Sequence, residues 1–269
     1  MTAFLLYQNA MQASEITGRL KTQLFGRKIY YFDVIDSTNI QAVKLIKQGG
    51  EHGALVIAEE QTEGRGRHGR LWFSEKNKNL LFSLIIRQNE NDKLNGVLSL
   101  AAALSVATAV KNLFGLFVEC KWPNDVLKDG KKFCGILSEA VNSNGYCIGI
   151  CIGVGLNVNQ KKFMPEIENK SVSLSMILGK ELDRSELLVE ILRQMEINFS
   201  RFKKDRAREL IEEWMKYSPH FGSEVSISIG GEIISGIAEE VSDDGALIIR
   251  NSNGKIKILA GDVSYATRI

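Results

Sequence analysis

Residues 121–158 read KWPNDVLKDGKKFCGILSEAVNSNGYCIGICIGVGLNV. Two dipeptides in this stretch, Asp129-Gly130 and Asn144-Gly145, are typical of two-residue hairpin turns, because these residue types tolerate positive φ angles. The segments that follow the turns, Phe133 to Val141 and Cys147 to Val158, are rich in the apolar and β-branched residues of strands. The stretch therefore predicts a meander of antiparallel strands.

Strands and helices alternate upstream of this meander. Apolar segments predict strands over Lys28–Ile35, Ala54–Ala58 and Leu80–Ile86. Ser37, Thr38 and Asn39 are residue types that begin helices, and an apolar helical face follows them. A long apolar helix is predicted over Leu94–Phe114, and downstream helices are predicted around Leu187–Met195 and Arg206–Tyr217.

The last fifty or so residues have a different sequence pattern. Short segments of alternating apolar and polar residues are separated there by Gly-rich turns. The predicted strands there are Val225–Ile229, Ile233–Glu240, Leu247–Arg250 and Lys255–Leu259. We therefore predict a domain of residues 1–219 and a small β-barrel domain of residues 220–269.

Composition excludes several classes of protein. The net charge of +2 over 269 residues does not indicate a nucleic-acid partner. No secretory signal is evident, so we expect a cytoplasmic protein whose four cysteines are reduced thiols. The apolar run Val97–Val110 is shorter than a membrane span and favours a buried helix. Neither the cysteines nor the three histidines have the spacing of zinc ligands.

Four segments contain residue types that are suited to ligand binding or catalysis. Gly64 to Arg70 alternates glycine with arginine, a pattern that suits anion binding, although a basic surface loop or an RNA-binding strip would look the same. Residues 121–125 present Asn124 and Asp125 after a rigid proline, which is also how an ordinary Pro turn looks. Lys132 precedes a strand and can point one charge across the sheet, but by itself a solvated lysine explains it equally well.

The fourth segment, Gly153 to Val158, places two glycines in a strand, which indicates either a close approach of backbone or ligand, or a β-bulge. Taken in order with Ser37-Thr38-Asn39, the four segments closely resemble the motif series of the biotin–protein ligases. The resemblance covers about residues 28–159, and the small C-terminal domain is similar to the closing barrel of that family.

The resemblance implies an α+β fold, with a mixed β-sheet flanked by helices as in class II aminoacyl-tRNA synthetases and lipoate ligases, plus a barrel of the Src-homology-three type. It implies an ATP-dependent ligase that makes biotinyl-5'-adenylate and transfers biotin to a lysine of a biotin carboxyl carrier domain. Biotin and ATP are then the substrates, and Mg²⁺ accompanies ATP through ligands that the sequence does not identify.

The resemblance also implies roles for individual residues. Lys132 offsets the repulsion between the biotin carboxylate and the α-phosphate of ATP, and Arg67 assists Lys132 in this role. Asp125 orients or deprotonates the acceptor lysine. The residues implied to bind biotin are Ser37, Thr38, Asn39, Gln61, Gly64, Arg65, Arg67, Lys132 and Gly135. Those implied to bind ATP are Arg65, Arg67, Arg70, Trp72, Lys121, Asn124, Lys132 and Asn157.

Two other functions are compatible with parts of the sequence. A lipoate–protein ligase shares the fold and the adenylate chemistry, and a noncatalytic RNA-binding protein would use the arginines but leave Lys132 and Asn157 without a role.

Only 36 residues precede Ser37, whereas a winged helix-turn-helix needs about sixty, so we expect no operator binding. A homodimer is possible because dimers are common in the family. The loop from Glu63 to Arg70 is expected to order over ligand.

Overall fold

The computed structural model describes residues 11–87, 95–202 and 206–265. Seven strands of the described residues form one sheet. They are β1 Ile29–Ile35, β2 Leu55–Gln61, β3 Leu80–Arg87, β4 Glu119–Lys121, β5 Asp125–Lys128, β6 Lys131–Ser143 and β7 Tyr146–Leu156. The helices are α1 Ala13–Arg19, α2 Thr38–Lys47, α3 Asn95–Phe114, α4 Leu174–Leu178, α5 Arg184–Phe202 and α6 Ala207–Lys216.

The sheet has the strand order β1-β2-β3-β7-β6-β5-β4 and is mixed, as the resemblance implied. Strands β1 and β2 are parallel, and every other neighbouring pair is antiparallel. Both predicted hairpin turns are present. Asp129 and Gly130 have φ of 50° and 74°, and Asn144 and Gly145 have φ of 50° and 83°. Residues that accept positive φ thus set the register of β5, β6 and β7.

Helices cover both faces of the sheet. On one face α3 packs against β6 and against α5 and α6, and its apolar residues join the main core. On the other face α2 packs against β2, β3 and β7, where Ala42 and Ile46 contact Val56 and Ile85. The arrangement of mixed sheet and flanking helices agrees with the predicted fold.

Helix α3 is largely apolar, and most of its apolar residues belong to the main core. The stretch Gly96–Phe114 is the one helix in the described part of the chain that is long and apolar enough to cross a membrane. However, 67% of that stretch is buried within the protein, between β6 and the other helices. Its apolar surface is therefore used in packing, as the sequence predicted.

A second sheet follows near the C-terminus. Its five strands are β8 Glu224–Ile229, β9 Glu232–Val241, β10 Leu247–Asn251, β11 Gly254–Ile258 and β12 Asp262–Tyr265. Their order is β11-β10-β9-β8-β12, and every pair is antiparallel. The sequence predicted four of these strands and missed β12. We call these five strands the C-terminal sheet.

The C-terminal sheet lies directly against the first part of the chain. The Trp122 indole N–H donates to the Gly245 carbonyl at 3.0 Å. A Cβ atom on Gly96, at the start of α3, would lie 2.6 Å from the Asp244 carbonyl oxygen, so the two backbones touch. Trp122 belongs to the segment that leads from β4 into β5, so the C-terminal sheet packs next to the residues that the sequence singled out.

Candidate active site

A cavity of about 400 Å³ opens at the N-terminus of α2, between the sheet and the segment of residues 64–70, which we call the arginine loop. The structure brings most of the predicted site residues together there. The predicted residues that line it are Ser37, Thr38, Asn39, Gln61, Arg65, Arg67, Arg70, Trp72, Lys121, Asn124, Asp125, Lys132 and Gly135. Gly64 and Asn157 are not among the lining residues.

The polar end of the cavity is built on the first turn of α2. The Thr38 backbone N–H and hydroxyl both donate to the Gln61 Oε1, at 2.8 and 3.0 Å. The Ser83 Oγ lies 2.8 Å from the Thr38 Oγ1. Ser37 stands at the N-cap position, and its side chain does not cap the helix. Because Thr38 at the N-terminus of α2 binds the Gln61 Oε1, the orientation of the Gln61 amide is fixed. The Gln61 Nε2, which carries the N–H donors, is then at the opposite end of the amide group.

Asn39 lies in the cavity wall with its polar atoms engaged by the protein itself. Its Oδ1 accepts from the Ser83 hydroxyl at 2.6 Å. Its Nδ2 donates to the Glu139 carboxylate at 2.6 Å and to the Leu137 carbonyl at 3.2 Å. Asn39 therefore ties α2 to β3 and β6, which is a structural role beside the predicted contact with biotin. A Cβ atom on Gly153 would lie 2.0 Å from the Asn39 Oδ1, so this position requires glycine.

Trp72 occupies a slot over two glycines of neighbouring strands. A Cβ atom on Gly155 would lie 2.5 Å from the Trp72 Cε2, and one on Gly135 would lie 3.0 Å from its Cζ3. The Lys132 ammonium stands 5.4 Å from the centre of the indole ring. Among the described residues the buried indole N–H has no hydrogen-bond partner. The glycines thus allow an aromatic ring to lie flat along the sheet beside the cationic centre.

Replacing Gly155 with alanine is expected to push Trp72 out of this slot, because the added methyl group overlaps the indole ring. We expect the ATP-dependent activity that the family resemblance implies to fall by at least about tenfold, together with a change in tryptophan emission. Gly18→Ala is the control, because a Cβ atom at that helical position meets nothing within 4 Å. Wild-type activity in Gly155→Ala would show that the ring position is unimportant.

The cavity is strongly cationic. Six cationic side chains and two carboxylates are among the described residues that line it. The Lys132 ammonium forms an ion pair of 2.7 Å with the Asp125 carboxylate. Burial lowers the pKa of Lys121, and Asp125 opposes that change. Burial likewise lowers the pKa of Arg67. An entering anion would relieve these partly desolvated charges, so the cavity is suited to binding carboxylates or phosphates.

The arginine loop forms a narrow hairpin whose middle is a short 3-10 turn, Arg67–Gly69. Two backbone bonds close it, from the Gly66 N–H to the Arg70 carbonyl at 2.7 Å and from the Trp72 N–H to the Gly64 carbonyl at 2.9 Å. Arg67 points inward, with 19% of its side chain exposed, whereas the Arg65 side chain is 55% exposed. The sequence predicted a loop without periodicity and did not reveal this hairpin.

Two predicted contact residues have other positions. The Asn157 side chain is 4% exposed and donates to the Val172 carbonyl at 3.3 Å, so it holds the segment before α4 and does not face the cavity. A Cβ atom on Gly64 would lie 2.4 Å from the Trp72 carbonyl oxygen, so Gly64 permits the closing of the arginine loop. Neither residue lines the cavity, and their contacts with ATP and biotin stay predictions.

The structure also adds residues that sequence reasoning missed. Ser83 connects Thr38 and Asn39, and its one signal was a hydroxyl within an otherwise apolar strand. Lys170 and Asp262 line the cavity from segments that had no recognisable motif. These two come from distant parts of the chain, and only the fold brings them to the site.

Comparison with known proteins identifies the family. Residues 31–157 match the Biotin/lipoate A/B protein ligase family, and residues 220–265 match the biotin protein ligase C terminal domain. A biotin--[acetyl-CoA-carboxylase] ligase of Mycobacterium tuberculosis is 31% identical over 257 residues, covering 91% of this chain and 94% of that protein. This chain belongs to the biotin–protein ligase family. Members of the family are ATP-dependent ligases, and this chain is one of them.

Two further relatives extend the comparison of this ligase. The bifunctional ligase/repressor BirA of Bacillus subtilis is 31% identical over 255 residues, covering 94% of this chain and 78% of that protein. A solved structure of the biotin protein ligase from Aquifex aeolicus in complex with biotin and ATP has a TM-score of 0.77 and 30% identity. It covers 89% of this chain and 99% of that one. The family resemblance of the motif series is thereby confirmed.

Proposed function

We propose that this ligase joins biotin to ATP, forming biotinyl-5'-adenylate and pyrophosphate, and then transfers biotin to a lysine of a biotin carboxyl carrier domain. One observation carries the proposal. A single cavity combines a hydrogen-bonding end at α2, an aromatic slot at Trp72 and a cationic centre at Lys132. Biotin and ATP together require these three environments.

Biotin would place its ureido ring at the polar end, next to Thr38 and Gln61. An amide-like group buried without partners costs about 1 to 3 kcal/mol, so the ring needs donors and acceptors such as these. The valeryl chain then leads through the cavity from this end toward Lys132. Its carboxylate reaches Lys132, whose ammonium lies over the Trp72 ring.

In the first step a carboxylate oxygen of biotin attacks the α-phosphorus of ATP. A new C–O–P link forms, the bond from the α-phosphorus to the bridging oxygen breaks, and pyrophosphate leaves. Two anions must approach each other, so fixed positive charge in a partly buried site is the main requirement. Lys132 supplies it at the reacting oxygens, and Arg67 and Lys121 supply it along the phosphates.

The remaining contacts with ATP come from Trp72, Asn124, Arg65 and Arg70, all of which line the cavity. No group of three or more His, Cys, Asp or Glu side chains that could hold a metal occurs within residues 11–87, 95–202 and 206–265. Mg²⁺ is commonly held by one or two carboxylates and by substrate phosphates, so Asp125 and the triphosphate together fit it. When bound, the ion shares the charge of the phosphates.

In the second step the acceptor lysine amine attacks the carbonyl carbon of the mixed anhydride. An amide bond forms, the C–O bond to the phosphate breaks, and AMP leaves. The amine must first lose a proton, and Asp125 is the carboxylate beside Lys132 that we propose orients or accepts it. The carrier is then a domain of a carboxylase, approached from the open side of the cavity.

Several wider expectations belong to the same proposal. We place the domain boundary between residues 219 and 220, expect the Src-homology-three type of barrel and a class II synthetase-like catalytic fold, and expect a cytoplasmic enzyme. We also expect no binding of operator DNA, as predicted from the sequence. A homodimer stays a prediction from the family resemblance.

The proposal is tested by incubating the full chain with MgATP, labelled biotin and a purified carrier domain, with labelled lipoate in a parallel reaction. We expect biotin on the carrier and none of the lipoate. Arg67→Ala should slow transfer by about tenfold to a hundredfold, since one preorganised donor to the phosphates is lost. Arg206→Ala is the control, because that arginine is exposed and pairs with Glu209.

Transfer of lipoate in place of biotin would support the lipoate ligase. Strongly salt-sensitive RNA binding without ATP consumption would support the noncatalytic alternative.

A further inference from the structure

The C-terminal sheet places a carboxylate inside the cavity. Asp262 begins β12 and is one of the lining residues. Its carboxylate accepts a hydrogen bond from the Arg70 guanidinium and lies 3.8 Å from the Arg67 Nη1. The neighbouring Gly261 carbonyl accepts from both terminal nitrogens of Arg67 at 3.3 Å. Asp262 and the residue before it, Gly261, thus hold two arginines of the arginine loop.

Asp262 is held in place by strand pairing and close packing within the C-terminal sheet. Asp262 pairs with Ser228 in the ladder between β12 and β8. A Cβ atom on Gly261 would lie 2.5 Å from the Ile227 Cγ2, so the backbone there packs tightly on β8. The arginine loop, by contrast, is closed by two backbone bonds of its own. Arg67 and Arg70 connect the arginine loop to Gly261 and Asp262.

We infer that Asp262 is a positioning residue, which stands in for a phosphate by holding Arg67 and Arg70 over the cavity before ATP arrives. Guanidinium groups fork onto carboxylates and phosphates in the same manner, so a triphosphate can take over the arginines from Asp262. The inference goes beyond the proposed function, because the ordering of the loop by the C-terminal sheet does not depend on which acid is activated.

The charges around the loop agree with this role. Burial lowers the pKa of Arg67, and Asp262 is the largest influence that opposes it. Without ligand, the inward arginine therefore needs a nearby anion, and Asp262 supplies one. Asp125 acts in the same direction with a smaller effect on the pKa of Arg67.

The test is limited trypsin proteolysis of the full chain without ligand, with cleavage after Arg65, Arg67 and Arg70 followed by mass spectrometry. We expect Asp262→Asn to raise the initial cleavage rate about fivefold, since it removes the charge that holds the loop. Asp262→Glu keeps the charge and should stay near wild type. Glu239→Gln is the matched control, because it removes ion pairs with Arg250 and Lys255 elsewhere in the C-terminal sheet.

Saturating biotin and MgATP should return Asp262→Asn to the wild-type cleavage rate, because the phosphates then hold the arginines. Amide hydrogen exchange on the same variants separates a local effect from a general one. Faster exchange confined to residues 64–72 supports the inference. Unchanged cleavage in Asp262→Asn, or faster exchange throughout β6 and β7 as well, would overturn it.

Discussion

Replacing Lys132 with alanine is expected to lower the rate of the proposed biotinyl-adenylate formation by about a hundredfold to a thousandfold, the range found when one preorganised donor is removed from a reacting centre. The Lys132 ammonium lies between the Asp125 carboxylate at 2.7 Å and the Trp72 ring. Without this ammonium, the biotin carboxylate and the α-phosphate of ATP would meet beside the unpaired Asp125 carboxylate. The rate is measured by biotin-dependent exchange of pyrophosphate into ATP.

Lys131→Ala is the matched control, since Lys131 is the exposed neighbour on the same strand and does not line the cavity. A second variant, Lys132→Ala with Asp125→Asn, removes the unpaired carboxylate along with the ammonium. We expect it to remain as slow as Lys132→Ala, because the missing positive charge is the cause. Recovery of the wild-type rate in the double variant would mean that Asp125 alone inhibits the single variant.

The central strands could be predicted from the sequence because their signals are local. An Asp-Gly or Asn-Gly pair accepts positive φ at both residues, and the structure has those angles at residues 129–130 and 144–145. Short strands were harder. Strands β5 and β12 have four residues each, and their partners β6 and β8 determine them more than their own composition does. Neither was predicted.

In the candidate site, too, features with a local sequence signal could be predicted, whereas features that depend on distant residues could not. Residues that belong to one of the sequence motifs, such as Arg67 and Lys132, line the cavity as the family resemblance implied. Asp262 could not be foreseen, because its partner Arg70 lies 192 residues earlier in the chain. The position of Asn157 could not be foreseen either: an amide at the end of a strand can face a ligand or a neighbouring segment, and here it donates to the Val172 carbonyl.

Replacing Arg184 with methionine is expected to lower the free energy of unfolding by about 3 to 5 kcal/mol, because it leaves a buried carboxylate without its partner. Arg184 and Glu59 form an ion pair of 2.6 Å in which the two side chains are 4% and 0% exposed. The Glu59 carboxylate also accepts from the Tyr31 hydroxyl and from the Met11 N–H at 2.8 Å. Burial raises the pKa of Tyr31, so it keeps its proton and donates. The measurement is urea denaturation at neutral pH.

Arg206→Met is the control for this effect, because its pair with Glu209 is exposed and such pairs contribute about 0 to 1 kcal/mol. The double variant Arg184→Met with Glu59→Met distinguishes the cause. If the loss in Arg184→Met arises from the stranded carboxylate, the double variant should regain part of the stability, since a buried pair replaced by apolar side chains is often nearly neutral. A double variant less stable than Arg184→Met would instead show that Glu59 stabilises the fold mainly through Tyr31 and Met11.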